Sequence, residues 1–350
     1  MKSFGSDNNS GVHPAVMDAV VKANCEHAVG YGADPWTKRA NEVLKSIFGE
    51  DCKIVFVFNG TGANTVALQT CVQSFHSIVC SHMGHIFCDE CGAPTKHAGA
   101  VIKDVFASDG KLTPALIAPQ LHVLGQSHHS QPKVIYISQA TELGTIYTVD
   151  EVKALADFAH QNNMYLHMDG ARLANACVTL GVTMKELTVD CGVDILSFGG
   201  TKNGMMMGEA VIAFNPDLRP NLDFIQKQTT QTASKMRFLT CQFEPYFAND
   251  TWRINASNAN EMTKRLEAGL RKFSFVTINQ LVQANEVFLS LPRAIINELS
   301  KDFFFYVFDE EKDEIRLVCS WDTTEKDVDS FLSALQQASG KYLTTKMAMN

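Results

Sequence analysis

Short β-rich runs alternate with helix-length stretches over the first two thirds of the chain. This rhythm constrains the fold more than any other feature. The runs fall at 53–58, 78–81, 98–105, 133–138, 164–168 and 193–198. Apolar residues at helical spacing fill 63–72, 112–124 and 149–162 between them. Parallel strands cannot be joined by a tight hairpin, so a helix must carry the chain back. Strand and helix at this interval therefore predict βαβ units and an α/β fold with a mostly parallel central sheet. Helices are also expected at 14–24 and 36–48, a polar-faced helical region at 224–246, and a long helix at 252–273. After residue 275 the rhythm changes. Strands at 275–278, 303–308 and 314–320, with helices at 284–291, 292–299 and 325–338, predict a smaller α+β domain. The expected units are an amino-terminal segment (1–13) packing over the site, a large domain (14–250), and a linking helix with a small carboxyl-terminal domain (251–350). Residues 345–350 are expected to fray.

One stretch in the large domain carries chemistry. The apolar run 193–198 breaks into Gly199-Gly200-Thr201-Lys202-Asn203-Gly204, and a second apolar run, 210–214, follows. Glycines on both sides let the backbone turn sharply and leave one amine facing a cleft. Partial burial lowers the pKa of such an amine and makes it a nucleophile toward carbonyl carbons. A loop salt bridge is the other reading.

Further residues fall near it at expected strand ends. Asn59-Gly60-Thr61-Gly62-Ala63-Asn64 lies between a strand and a helix. Free N–H groups at a helix start there cradle an anion. Asp169-Gly170-Ala171-Arg172 ends the strand at 164–168. His85 and His128 are read as residues at strand ends facing the same cleft. Pyridoxal phosphate requires a lysine for its imine, an anion site for its phosphate, a carboxylate at its ring nitrogen and a cover for its ring face. Lys202, Gly60-Thr61-Gly62, Asp169 and His85 fit these in turn. A mutual Asp169–Arg172 salt bridge is the competing reading of that pair. His82, His85, Cys88 and Cys91 recur every third residue, which suggests zinc. On one helix the first and last would lie on opposite sides and ~13 Å apart, so no metal is assigned.

Composition narrows the function class. Net charge is 30 − 38 = −8, against a nucleic-acid or anionic-membrane surface as partner. No run approaches a membrane span, and the first ten residues lack a signal-peptide core. Ten scattered cysteines fit free thiols in a reducing cytoplasm.

With these motifs in place the sequence resembles the low-specificity L-threonine aldolases of the β-eliminating lyase group. The carrying residues are Gly5-Ser6-Asp7, Tyr31-Gly32-Ala33-Asp34-Pro35, the 59–64 turn, 81–87, 167–172, Gly200-Thr201-Lys202-Asn203-Gly204 and 234–238. The resemblance implies a fold-type-I pyridoxal-phosphate enzyme that cleaves threonine or allo-threonine to glycine and acetaldehyde. It implies a homotetramer, a dimer of dimers, with sites at the dimer interface. By motif, Lys202 would hold the cofactor, Asp169 its ring nitrogen, and His85 its face. Gly60, Thr61 and Thr201 would hold its phosphate. Ser6, Arg172 and Arg316 would hold the substrate carboxylate. Tyr31 and Arg237 would enter from the neighbouring subunit. His128 is favoured at the substrate hydroxyl, with His85 stacking. Residues 138–142 depart from the Asn- and His-bearing form of other branches. Another pyridoxal-phosphate β-eliminating lyase acting on a small amino acid is the alternative.

Overall fold

The computed structural model describes residues 2–349, with side chains for 2–342. The fraying expected at 345–350 lies outside the side chains described. The strands are β1 (Lys2–Ser3), β2 (Lys53–Val57), β3 (His76–Ser81), β4 (Val101–Val105), β5 (Gln131–Ser138), β6 (Tyr165–Gly170), β7 (Ile195–Gly199) and β8 (Glu209–Ala213). Beyond them come β9 (Thr277–Ile278), β10 (Glu286–Ser290), β11 (Phe303–Phe304), β12 (Tyr306–Asp309) and β13 (Glu314–Val318). Seven strands form the central sheet in the order β2-β8-β7-β6-β5-β3-β4. Strands β7, β6, β5, β3 and β4 are parallel, and β8 runs against both neighbours.

Register places the chemistry. Ser138 of β5 stands opposite Asp169 of β6, and Asp169 opposite Ser197 of β7. Glu209, which opens β8, stands opposite both Gly199 and Val57. Polar residues thus gather along one sheet edge, at the carboxyl ends of the parallel strands. Both faces of the sheet are covered, as a doubly covered parallel sheet requires. Leu166, Met168, Leu196 and Phe198 pack on one side with Phe48, Phe243 and Tyr246. Val134, Tyr136 and Ile195 pack on the other with Val66, Ala67 and Leu68 of the helix Gly60–Cys71.

The helix Thr251–Leu270 joins two cores. Its Trp252 and Ala256 belong to the sheet core. Its Met262, Leu266 and Leu270 belong to a third cluster with Val287, Leu289, Ile315, Leu317 and Phe331. That cluster underlies the antiparallel sheet β12-β13-β10-β9. The amino-terminal segment joins it: β1 pairs in parallel with β11, and Phe4 is fully buried.

Several sequence expectations are corrected. Residues 284–291 are not a helix but hold β10, because Val287 and Leu289 alternate into the core and the run pairs residue for residue with β13. The 224–246 region is three short helices, Leu222–Gln228, Arg237–Thr240 and Phe243–Phe247, broken where Thr230 takes a φ of 64°. The strand expected over 98–105 starts at Val101, after a short helix ending at Ala98 and a left-handed Gly99. Residues 114–123 form a single α turn and then a 3₁₀ segment, where Pro119 supplies no N–H. All ten cysteines are free.

Candidate active site

A cavity of about 510 Å³ opens at the carboxyl ends of the parallel strands. Asn59, Gly60, Thr61, His85, Ser138, Glu142, Asp169, Arg172, Thr201, Lys202 and Glu209 are among its lining residues.

Lys202 sits in a one-turn 3₁₀ segment, Thr201–Asn203, directly after β7. Gly204 closes that turn at φ 107°, a conformation other residues resist. Among the described residues its amine has no hydrogen bond or ion pair. Burial, then the Arg172 charge, pull its pKa below the usual lysine value, against Asp7 and Asp169. The amine is thereby closer to its nucleophilic, neutral form.

Asp169 is buried at the end of β6. Its Oδ2 accepts from Asn64 Nδ2 at 2.8 Å and Tyr136 Oη at 2.8 Å, and its Oδ1 accepts the Ala171 N–H at 2.9 Å. Burial alone would raise its pKa. The His85 charge and the hydrogen bonds from Asn64 and Tyr136 outweigh burial and hold the carboxyl below its usual value. A carboxylate kept ionised this deep, with no ion pair within 4 Å among the described residues, fits a cationic ring nitrogen.

The helix Gly60–Cys71 starts at the cavity. Asn59 Oδ1 caps it by accepting the Gly62 N–H at 2.8 Å. The Gly60 and Thr61 N–H groups meet no acceptor among the described residues and remain for an anion. Gly62 has a different role: a Cβ there would collide with Gln231, which caps the Phe58 N–H. Thr201 also lines the cavity, and its hydroxyl donates to Glu209 Oε1 at 2.7 Å. Glu209 also accepts the Gly200 N–H at 3.0 Å, and burial pushes its pKa up to about 7.

His85 opens the single-turn helix His85–Cys88 after β3. Its backbone N–H donates to Glu142 Oε1 at 2.7 Å, and its Nδ1 lies 2.7 Å from Glu90 Oε1. Burial of the ring pulls its pKa down, but the Glu90 hydrogen bond and the Asp169 and Glu90 charges raise it overall. Ligand atoms of His85, Glu90 and Asp169 lie within 4.8 Å of one another. The zinc-like run does not converge as a set. Cys88 donates to the His82 carbonyl, and Cys91 is exposed at φ 50°.

Arg172 donates Nε to Asp7 Oδ2 at 2.8 Å and Nη2 to Asp7 Oδ1 at 3.1 Å, with Glu286 Oε1 3.2 Å from Nη2. The Asp169–Arg172 salt bridge is therefore replaced by Asp7–Arg172. Nη1 makes no hydrogen bond among the described residues, and Arg172 lines the cavity. Arg316 donates to the Gly5 carbonyl at 3.3 Å and lies 3.6 Å from Glu286, beside this cluster. Ser6 caps the 3₁₀ turn Asp7–Asn9, and it is Asn8 that lines the cavity.

His128 stands elsewhere, and Arg237 and Tyr31, expected to enter a neighbouring subunit's site, lie outside this cavity's lining. His128 is exposed in the turn before β5, at the amino end of that strand, whereas the cavity lies at the carboxyl ends. The expectation grouped His128 with residues at carboxyl strand ends although its loop leads into the strand at 133–138. Arg237 donates to the Cys25 and Glu26 carbonyls and lies over Trp36, away from the cavity lining. Tyr31 is 64% exposed, with the Lys227 amine 5.0 Å from its ring centre. Sequence reasoning missed Asn64, Glu90, Tyr136, Glu142, Glu209 and Glu286. Asn64, Glu90 and Glu142 lie inside stretches already singled out, 59–64, 82–91 and 138–142, but nothing in the local pattern marked their side chains.

The beta-eliminating lyase family model matches residues 3–293. The chain is 42% identical over 324 residues to a low specificity L-threonine aldolase of Pseudomonas aeruginosa, covering 92% of this chain and 93% of the relative. It is 41% identical to that of Pseudomonas sp. (strain NCIMB 10558), covering 93% and 94%. A solved threonine aldolase of Leishmania major superposes with a TM-score of 0.92 at 30% identity, covering 96% of this chain and 99% of that one. A half-buried lysine after β7 and a carboxylate at the end of β6 that has no ion pair among the described residues, on a chain matched over nearly its whole length, place this protein in the beta-eliminating lyase family.

Proposed function

We propose that the protein cleaves L-threonine, L-allo-threonine and related β-hydroxy-α-amino acids to glycine and an aldehyde, with pyridoxal phosphate held on Lys202. The observation that carries this reading is that the Lys202 amine and the Asp169 carboxylate, neither with an ion pair among the described residues, line one cavity. When bound, pyridoxal phosphate supplies an electron sink for the pair left on Cα.

The chain's own residues do the rest. Asp169 would keep the ring nitrogen protonated. Gly60, Thr61 and Thr201 would hold the phosphate. Arg172 offers Nη1 to the substrate carboxylate, while Asp7 and Glu286 fix its other nitrogens. A planar guanidinium so fixed orients a carboxylate well. His85 is the histidine lining the cavity among the described residues. Its Nε2 takes the proton of the β-hydroxyl. The O–H pair then becomes the second C–O bond of the aldehyde, and the Cα–Cβ pair stays on Cα until a proton replaces it.

Two further readings belong to this proposal. Phe58 and Met207 line the cavity yet are 39% and 44% exposed, and a neighbouring copy in a homotetramer would cover them. Among the described residues no helix is long and apolar enough to cross a membrane. A cytoplasmic role in threonine catabolism and glycine formation fits the reaction.

The test is a visible spectrum of the purified protein, before and after adding threonine, with aldehyde measured on the same sample. Absorbance of a bound aldehyde cofactor, together with acetaldehyde and glycine, is expected. Colourless protein with no aldehyde overturns the reading, and pyruvate with ammonia instead assigns a Cβ–X lyase.

A further inference from the structure

We propose that Glu90 is the positioning residue of His85: its carboxylate holds Nδ1–H and so presents Nε2 to the oxygen that gives up its proton. The inference rests on the reading of His85 as the base.

The chain is bent to bring the two together. Glu90 follows His85 by five residues, beyond the single-turn helix His85–Cys88. Asp89 ends that helix at φ −123° and ψ 11°, its N–H donating to the His85 carbonyl, so the chain leaves the helix just before Glu90. Glu90 ends only 4% exposed, with Oε1 2.7 Å from His85 Nδ1. The same Oε1 accepts Asn64 Nδ2 at 2.7 Å. An oxygen already accepting an amide is an acceptor, so the hydrogen between Glu90 and His85 is assigned to Nδ1. Nε2 then carries the lone pair. It has no hydrogen-bond partner among the described residues, and the ring lines the cavity.

The environment of the pair supports a proton-accepting role. The groups facing His85 are Glu90 on its own loop, Asp169 from β6, Lys202 from the turn after β7, and Glu142, which holds its backbone N–H. Asp169 is occupied by Asn64, Tyr136 and the Ala171 N–H. Glu90 alone of these touches the ring nitrogen. Its Oε2 is buried without a partner, an arrangement a structural carboxylate would avoid. The charge is tolerated because an opposite one forms beside it. When Nε2 takes a proton, Nδ1–H stays on Glu90, and an imidazolium faces a carboxylate. This is the logic by which a buried carboxylate fixes the tautomer of a histidine base.

The test uses ¹⁵N-histidine-labelled holoenzyme, with His85 assigned by its absence from a His85→Gln sample. The expected result is the Nδ1–H tautomer for His85 and a pKa above that of free histidine. In Glu90→Gln that pKa falls by about 1 unit, because an opposite charge is lost. The acid limb of kcat/KM moves to lower pH by the same amount, and kcat drops about 10- to 100-fold with KM nearly unchanged. Glu90→Asp keeps the charge, so its limb stays at the wild-type position. An Nε2–H tautomer in the wild type overturns the proposal, and so does a Glu90→Gln protein whose His85 titrates as before. Should Glu90→Gln not fold, the wild-type tautomer and the Glu90→Asp limb decide. A protein that releases no aldehyde fails the functional reading alone, and the tautomer and pKa of His85 still judge the pairing.

Discussion

Asp7 closes on Arg172 with both carboxylate oxygens, 2.8 Å from Nε and 3.1 Å from Nη2, across 165 residues of chain. The amino-terminal segment is thereby tied to the loop after β6. Asn285 adds a donor to Asp7 Oδ2 at 3.1 Å. Burial would raise the Asp7 pKa, but the Arg172 and Lys202 charges and these hydrogen bonds hold it below the usual carboxylate value. A depressed carboxylate stabilises the fold above its unfolded pKa and loses that stabilisation as pH falls through the folded one. Asp7→Ala leaves Arg172 buried without its main partner, so a loss of about 3–5 kcal/mol is expected in urea unfolding at neutral pH. The gap from wild type should narrow in acid. KM for threonine should rise more than kcat falls, since the guanidinium loses its orientation.

Lys202→Ala removes the amine without disturbing β7 or Gly204. The circular dichroism spectrum should match wild type. Borohydride should trap no cofactor on the chain, and kcat should fall about 10³-fold or more, as for loss of a covalent nucleophile. Retained trapping at another lysine would reassign the anchor.

Asn64 gives both amide hydrogens to carboxylates, one to Glu90 and one to Asp169. It separates two buried negative charges. Asn64→Ala takes a donor from each, and a loss of about 2–3 kcal/mol is expected by chemical denaturation. The variant should also bind pyridoxal phosphate more weakly at equilibrium, because Asp169 is less well held.

Glu209 has a pKa raised to about 7 by burial, against the hydrogen bonds from Thr201 and Gly200. The folded chain keeps this proton where the unfolded chain has released it, so stability falls as pH rises from about 4.5 to about 7. Glu209→Gln should remove that slope, worth up to about 3 kcal/mol, in a series of unfolding curves across that range. Phosphate binding at Thr201 should strengthen above pH 7 in the variant, because a negative charge has gone.

The alternation of strands and helices made the parallel sheet legible, since apolar runs such as 133–138 and 193–198 admit few other environments. The same cue misled at 284–291. A run of Asn, Glu, Val, Phe, Leu and Ser fits either period when only five or six residues long, and pairing with β13 decided it. His128 was misplaced for another reason: its loop leads into β5, and it is the carboxyl end of that strand, not its start, that borders the cavity.

Local chemistry was written into the chain: a lysine between glycines, a strand ending in Asp169, and Asn59 before a glycine turn each dictate their own geometry. What surrounds them was not. Glu90, Glu142, Glu209 and Glu286 look like surface acids in sequence, and each is placed at the site by chain distant from it or by a backbone turn. Burial and partners, which set whether a carboxyl is a solvated charge or a proton-holding group, come from strand register and helix docking. Those are long-range contacts that no local pattern encodes.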